Sequence, residues 1–406
     1  MPSPELAHLM QIRAFVRVAT HGSVSKAAEV LLRAQSVVTR SIRDLELRLN
    51  HPLFERHASG MLLTPYGKCI LSRARRILVE LEGIPALLGH PSLPFHEPLY
   101  LLNTRRLEVF VKLCETQHMQ TVANAFQLTQ PAISAALKVL EGGTGKVLFE
   151  RTARGLMPTR ASSEILYPIR RALNELRHLD ADIAALKGSL QGVVRVGALP
   201  LGRTRILPEA IVRLLAEHPG VQVSTNESPF NLLALELRAG DLDFVFGALR
   251  SADYASDLRG EELLTEAMVI LVRRDHPLLG REVMPRDLAQ AQWILPRANS
   301  PARRLLDAHF NQIDSQAPIP VVETGDLAII RGLLMRSDML AVVSEHQLEH
   351  EIASGAFQQL PVPLGDTGRP IGLIYRTNGL NSPAADALIK HIRAIVTQGD
   401  GVARHQ

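Results

Sequence analysis

Few residues of this chain stand in spacings that support covalent chemistry. His346-Gln347-Leu348-Glu349-His350 fits H-x-x-E-H, in which two histidines on one helical face hold zinc beside a glutamate base. Such a centre needs a further protein ligand, usually acidic and downstream, and no Glu follows Glu351. These residues read as a solvated helix face, and a zinc hydrolase is set aside. Gly142-Gly143-Thr144-Gly145-Lys146 ends like a phosphate-binding loop, but Val147 follows the Lys and Leu140 stands where the first Gly belongs. It is the end of a helix. No G-x-S-x-G occurs. No catalytic residue, metal ligand or cofactor is assigned.

Two sets of polar residues have a more useful spacing. Gln35, Ser36, Thr39, Arg40 and Arg43 share one face of a segment whose other face is Val38, Ile42, Leu45 and Leu49. Gln130, Pro131, Ser134 and Lys138 follow 95 residues later. A glutamine amide can read a base edge, while basic and hydroxyl side chains hold phosphates. After each helix comes a small wing, with Arg56 in the first and Arg151 and Arg154 in the second, placed to reach phosphate. For any one of these side chains the alternative is a solvated helix face.

The two sets belong to a repeat. A gapless shift of 95 aligns Phe15-Val16 with Phe110-Val111, Ala28 with Ala123, and Leu45-Glu46 with Leu140-Glu141. It also aligns Leu53-Phe54-Glu55-Arg56 with Leu148-Phe149-Glu150-Arg151, and Ala58, Gly60 and Thr64 with their counterparts, making 13 identities in 53 positions. Two copies are too few for a solenoid, so a small domain occurs twice. In the first copy Ile12, Phe15, Val16 and Ala19 form an apolar stripe that Gly22-Ser23 breaks. Ser25 is expected to cap a short helix with Ala28, Leu31 and Leu32 inside. A turn near Arg33-Ala34 leads to a second helix from Ser36, which must stop at Asn50, or at Gly145 in the second copy. A short helix, a tight turn and a helix with a polar, basic front form a helix-turn-helix.

Segments 10–66 and 105–161 both resemble the N-terminal domain of LysR-type transcriptional regulators. The residues that carry the resemblance are Ala27-Ala28, Gln35-Ser36-Val37-Val38-Thr39, Leu45-Glu46, Leu53-Phe54-Glu55-Arg56 and Thr64. The second copy has Gln130-Pro131-Ala132-Ile133-Ser134, Leu140-Glu141, Leu148-Phe149-Glu150-Arg151 and Thr159. The family normally carries one such domain. Two copies leave open whether both bind DNA or one has become a packing module. Ser59 stands where the second copy has Arg154, and Ala135-Ala136 stand where the first has Arg40-Ser41. Gly142 and Gly143 lie inside a helix, where each costs about 1 kcal/mol relative to alanine.

The expected organisation is a first winged helix-turn-helix over 6–66, a helix and Pro-rich connector over 67–104, and a second winged helix-turn-helix over 105–161. A linker helix over 162–188, capped by Ser162, carries Ile165, Ile169, Leu173, Leu176, Ile183 and Leu186. The first copy has an equivalent at 67–82. In the family such a helix pairs two subunits; packing on the chain's own domain is the alternative.

From Gly192 strands alternate with helices, which argues for α/β sheets over 189–396. The order resembles the family's effector domain, a two-lobed fold shared with periplasmic solute-binding proteins. The resemblance implies lobe one at 193–271 and 369–396 and lobe two at 272–368. It places an effector between lobes, where helix N-termini offer free backbone N–H groups. The matching positions are Leu199-Pro200, Gly247, Ser300-Pro301 and Thr324-Gly325. The implied partners are double-stranded operator DNA, a small organic acid or sugar-like metabolite, further copies of the chain as a dimer or tetramer, and RNA polymerase.

Composition agrees. Hydrophobic residues at 46% and charged residues at 21% describe a globular chain. No run of eighteen apolar residues occurs and no leader precedes Met10, so a cytoplasmic location without membrane contact is expected. Cys69 and Cys114 read as small core residues. Residues 1–187 hold 24 Lys and Arg against 16 Asp and Glu, while 188–406 hold 21 against 25, so only the front favours a polyanion. The competing reading is a cytoplasmic solute-binding protein whose helix-turn-helix copies serve mainly in assembly.

Overall fold

The structure, a computed structural model, describes residues 6–58, 60–89, 97–153, 155–250, 256–298, 300–312, 317–365 and 367–403. Two compact units divide the chain: Met1–Gly192, and the bulk of the residues from Val193 onward.

The first unit contains the repeat as structure. Helices α1 (Leu9–His21), α2 (Val24–Leu31) and α3 (Gln35–Leu49) precede a hairpin of β1 (Phe54–His57) and β2 (Gly60–Leu63), then α4 (Pro65–Glu82) and the short α5 (Ile84–Leu87). The second copy has α6 (Thr104–Thr116), α7 (Met119–Phe126), α8 (Gln130–Thr144), β3 (Phe149–Thr152), β4 (Gly155–Pro158) and α9 (Arg160–Leu186). From α1 to β2 every element recurs with both bounds shifted by 95.

Most repeated residues have structural work that explains them. Phe15 packs on Phe54 with ring centroids 5.4 Å apart, and Phe110 on Phe149 at 5.8 Å. The Glu46 carboxylate accepts from Leu53 N at 2.7 Å, and that of Glu141 from Leu148 N at 2.9 Å, which ties each wing to its long helix. Thr64 donates to Pro52 O and caps α4; Thr159 does the same for Val147 O and α9. Gly60 and Gly155 have φ of 125° and 119°, and a Cβ would lie 2.5 and 2.8 Å from the carbonyl oxygens of Gly22 and Gln117. Asn50 and Gly145 end α3 and α8 in the left-handed region, as expected.

Two caps differ from expectation. Ser23, not Ser25, caps α2 by accepting from Lys26 N. Thr159, not Ser162, caps α9; Ser162 is buried and donates to Leu148 O. The paired glycines also separate: Gly142 is open to solvent, while a Cβ on Gly143 would lie 2.1 Å from Cγ of Tyr100. Gly143 lets the ring lie on the helix.

Helices α4 and α9 of the same chain pack antiparallel in a continuous core, Ile70, Ile77 and Leu81 with Ile169, Leu173 and Leu176. The apolar stripe of the linker helix is therefore covered within the chain. Across the seam Arg73 donates from Nε to Asp182 Oδ2 at 2.6 Å and from Nη1 to Glu175. Arg76 lies 3.3 Å from Glu175, and Arg171 Nη2 lies 2.7 Å from Glu80.

The second unit has two five-stranded sheets. Its elements are β5 (Gly192–Ala198), α10 (Ile206–Glu217), β6 (Val221–Asn226), α11 (Phe230–Ala239), β7 (Phe244–Ala248), β8 (Leu258–Glu266) and β9 (Met268–Arg273). There follow α12 (Pro285–Gln290), β10 (Trp293–Leu295), α13 (Pro301–Gln312), β11 (Pro320–Glu323), α14 (Leu327–Leu334) and β12 (Leu340–Ser344). The last are α15 (Glu349–Ala353), β13 (Phe357–Gln359), β14 (Arg369–Arg376) and α16 (Pro383–Ala403). One sheet is ordered β6-β5-β7-β14-β8, the other β11-β10-β12-β9-β13. The first crossover falls at Ala267 rather than 272, because β9 hydrogen-bonds to β12 and β13. Strand β8, which lacks a strict alternation in sequence, is held by β14 along its length. Among the described residues no helix is long and apolar enough to cross a membrane.

Candidate nucleic-acid interface and ligand cleft

In each copy the second helix of the helix-turn-helix turns its apolar residues inward, Val38, Ile42, Leu45 and Leu49 on α3 and Ile133, Leu137 and Leu140 on α8. The short helix before it ends on a left-handed residue, Leu32 in one copy and Gln127 in the other. That turn sets the angle between the helices. Gln35, Ser36, Thr39, Arg40 and Arg43 are all exposed along α3. On α8 Gln130, Pro131 and Lys138 are exposed and Ser134 is half-buried, its hydroxyl 3.7 Å from Met119 Sδ. Gln130 is oriented by Gln120, whose Oε1 accepts from its Nε2 at 2.7 Å. Arg56 and Arg151 are exposed on β1 and β3. Arg154 and Ser59 lie outside the described residues. Gln35, Arg56 and their counterparts are thus repeated residues with no packing role, unlike Phe15, Glu46 or Thr64.

The second unit encloses a cavity of about 770 Å³ between its sheets. Leu199, Pro200, Ser300, Pro301, Thr324 and Gly325 line it, brought together from the ends of three strands, β5, β10 and β11. Gly247 does not. It is buried near the end of β7, where a Cβ would lie 2.4 Å from that of Leu199. Free N–H groups at helix starts also fail at α14, where the Asp326 carboxylate accepts from Ala328 N at 2.8 Å and Ile329 N at 3.0 Å. Ser300 Oγ accepts from Arg303 N at 3.2 Å and so caps α13.

The positive charge comes instead from side chains that sequence reasoning missed. Arg203, Arg250, Arg297, Arg304 and Arg369 line the cavity, against Glu227, Glu323 and Asp326. Arg369 is 9% exposed. Its Nη2 donates to Ser344 Oγ at 2.6 Å, and its Nε has no hydrogen-bond partner among the described residues. Burial pushes its pKa down to about 10, which leaves it a cation at neutral pH. Arg250 lies over the Phe230 ring, 4.5 Å from its centroid. The one sequence signal was a charge opening the otherwise apolar strand from Ile371 to Tyr375, and only tertiary structure turns it into a cavity wall.

The H-x-x-E-H pattern is not one helix. His346 sits in a 3-10 turn, Glu345–Leu348, and His350 in α15, so the two do not share a continuous helical face.

Two winged helix-turn-helix modules followed by a two-lobed α/β domain around a largely apolar cavity edged with arginines define a DNA-binding regulator with a ligand-responsive domain. Residues 9–68 and 104–162 both match the bacterial regulatory helix-turn-helix proteins of the lysR family, and residues 187–396 match the LysR substrate binding domain. The chain belongs to the LysR family. It is 64% identical over 394 residues to the HTH-type transcriptional regulator GalR of Pseudomonas putida, covering 97% of this chain and 98% of that protein. Identity to the HTH-type transcriptional regulator PcaQ of Agrobacterium fabrum is 30% over 306 residues, 72% of this chain and 94% of that one. The crystal structure of full-length CbnR complexed with its target DNA shares the fold, with a TM-score of 0.52, 21% identity, and coverage of 72% and 99%. Coverage of 72% is what a relative with one N-terminal domain would give; the GalR relative spans both copies. The chain is a ligand-responsive DNA-binding transcription regulator, not an enzyme.

Proposed function

We propose that the chain controls transcription by holding operator DNA with Gln35, Ser36, Thr39, Arg40, Arg43 and Arg56 of the first copy and Gln130, Pro131, Ser134, Lys138, Arg151 and Arg154 of the second. It responds to a small carboxylic acid in the cavity of the second unit. Of an organic acid and a sugar, the acid is favoured by one observation: Arg369 is buried, cationic, lines the cavity and keeps Nε unpaired among the described residues. A carboxylate supplies the missing acceptor and adds to the buried carboxylate, Glu266, that faces Arg369 across β8 and β14 beside the further arginines of the cavity, whereas a sugar hydroxyl supplies only the acceptor. Leu199, Phe230 and Ile330 give the remainder of the ligand an apolar wall.

A thermal-shift screen of small carboxylic acids and sugars against the whole protein tests this reading. Acids should raise the melting temperature of the wild type and lose most of that effect in Arg369→Met. Stabilisation by sugars alone would overturn the acid. A ligand that stabilises the protein while no duplex DNA binds would favour a solute-binding protein.

A further inference from the structure

We propose that one chain reads a two-part operator by itself, with two unlike half-sites in a fixed order; this rests on the DNA-binding reading above. The seam between α4 and α9 is built with matching contacts from the two copies. Adding 95 turns Arg76 into Arg171 and Glu80 into Glu175, so the pairs Arg76–Glu175 and Arg171–Glu80 exchange when the copies exchange. Each copy therefore contributes the same arginine and the same glutamate to the other. That reciprocity is the mark of an approximate two-fold axis through the helix pair. A two-fold pair of helix-turn-helix modules is the arrangement that places two recognition helices on two half-sites. Here one chain supplies both modules.

Other contacts across the seam have no mirror image. Arg73 holds Asp182, but the matching positions are Pro168 and Leu87. Arg48 holds Asp180 through two bonds of 3.0 Å, with Gly143 and Pro85 as counterparts. Pairing α9 with α9 of another chain would set Asp182 opposite Pro168; pairing α4 with α4 would set Arg73 opposite Leu87. Unlike copies pair, and like copies are disfavoured. The connector is fastened to both: Glu97 receives Arg13 and Arg17 of the first copy, and Tyr100 lies on Gly143 of the second. The two exposed faces also differ. Where α3 presents Ser36 and Arg40, α8 presents Pro131 and Ala135, so the two helices share the glutamine and a cation, Arg43 or Lys138, but differ at the positions between.

Selection of bound duplexes from a random pool by the full-length protein should yield two unlike half-sites in one order. A DNA-cleaving iron chelate attached at Ser36→Cys, with Cys69 and Cys114 replaced by Ala, should then cut near one half only. The same chelate at Pro131→Cys should cut near the other. A palindromic selected site, or cutting of both halves from Ser36→Cys, would overturn the proposal, as would no cutting from Pro131→Cys. Asp182→Cys beside the native Cys69, oxidised in a Cys114→Ala background, should give a cross-linked product of single-chain mass. A product of double mass would mean that the pair forms between chains. Recovery of no preferred sequence would overturn the DNA-binding reading itself.

Discussion

Arg73 and Asp182 meet inside the first unit, with Nε 2.6 Å from Oδ2 and Nη2 3.0 Å from Oδ1. Arg73 is 4% exposed and its second carboxylate partner, Glu175, 1%. Removing Arg73 leaves the buried Asp182 carboxylate without its countercharge, while Arg76 still faces Glu175, at a cost of about 3–5 kcal/mol. Arg73→Met should therefore unfold the first unit at markedly lower urea. Arg48→Ala, which breaks the more exposed pair with Asp180, should cost about 1 kcal/mol or less. Equal losses would contradict the role of the seam.

The same pair gives a pH dependence. Burial pushes the Asp182 carboxyl up, and Arg73 pulls it back down. Without Arg73 the folded value stands further above the unfolded one. The deficit of Arg73→Met is then small where Asp182 is protonated in both states and grows as pH rises through the folded value. Urea unfolding of both proteins at acid and neutral pH checks the sign; a deficit that shrinks towards neutrality would be the wrong one.

Gly142 and Gly143 should respond oppositely to alanine. Gly142→Ala meets nothing within 4 Å and should stabilise α8 by up to about 1 kcal/mol. Gly143→Ala drives a methyl into Tyr100 and should destabilise, with partial recovery in the double variant with Tyr100→Ala. Thermal melts of the three variants decide it.

The glycines also mark how far the sequence could be read. Helix periods and a gapless repeat are local signals, so α1–α3, both wings and the two long helices were legible from residue types. Ser300, Thr324 and Leu199 were placed by strand–helix order and do line the cavity. Arg369 was not found because its meaning depends on strands far apart in sequence. The same holds for the cover of α9: its apolar stripe announces a partner helix, but not whether that helix lies in the same chain. Gly143 read as a defect until Tyr100 stood beside it.

Gln35→Ala and Gln130→Ala should each weaken operator binding by about 1–3 kcal/mol and relax preference at one base pair, each in its own half-site. Arg56→Ala and Arg151→Ala should weaken all sequences alike and each lower the log–log salt slope by about 0.9. Gel titrations at several salt concentrations separate the two behaviours. A selective loss with an unchanged slope would make these arginines base readers.

Ligand in the second unit and DNA on the first should be energetically linked. Coupling between two binding sites is reciprocal: operator must change effector affinity by the factor by which effector changes operator affinity. Calorimetric titration of the stabilising acid into the protein, with and without the selected duplex, measures it most directly. The two affinities should differ, their ratio equalling the effector-dependent change in operator affinity, and both effects should be lost in Arg369→Met. Equal affinities beside a clear effector-dependent change in transcription would contradict this linkage.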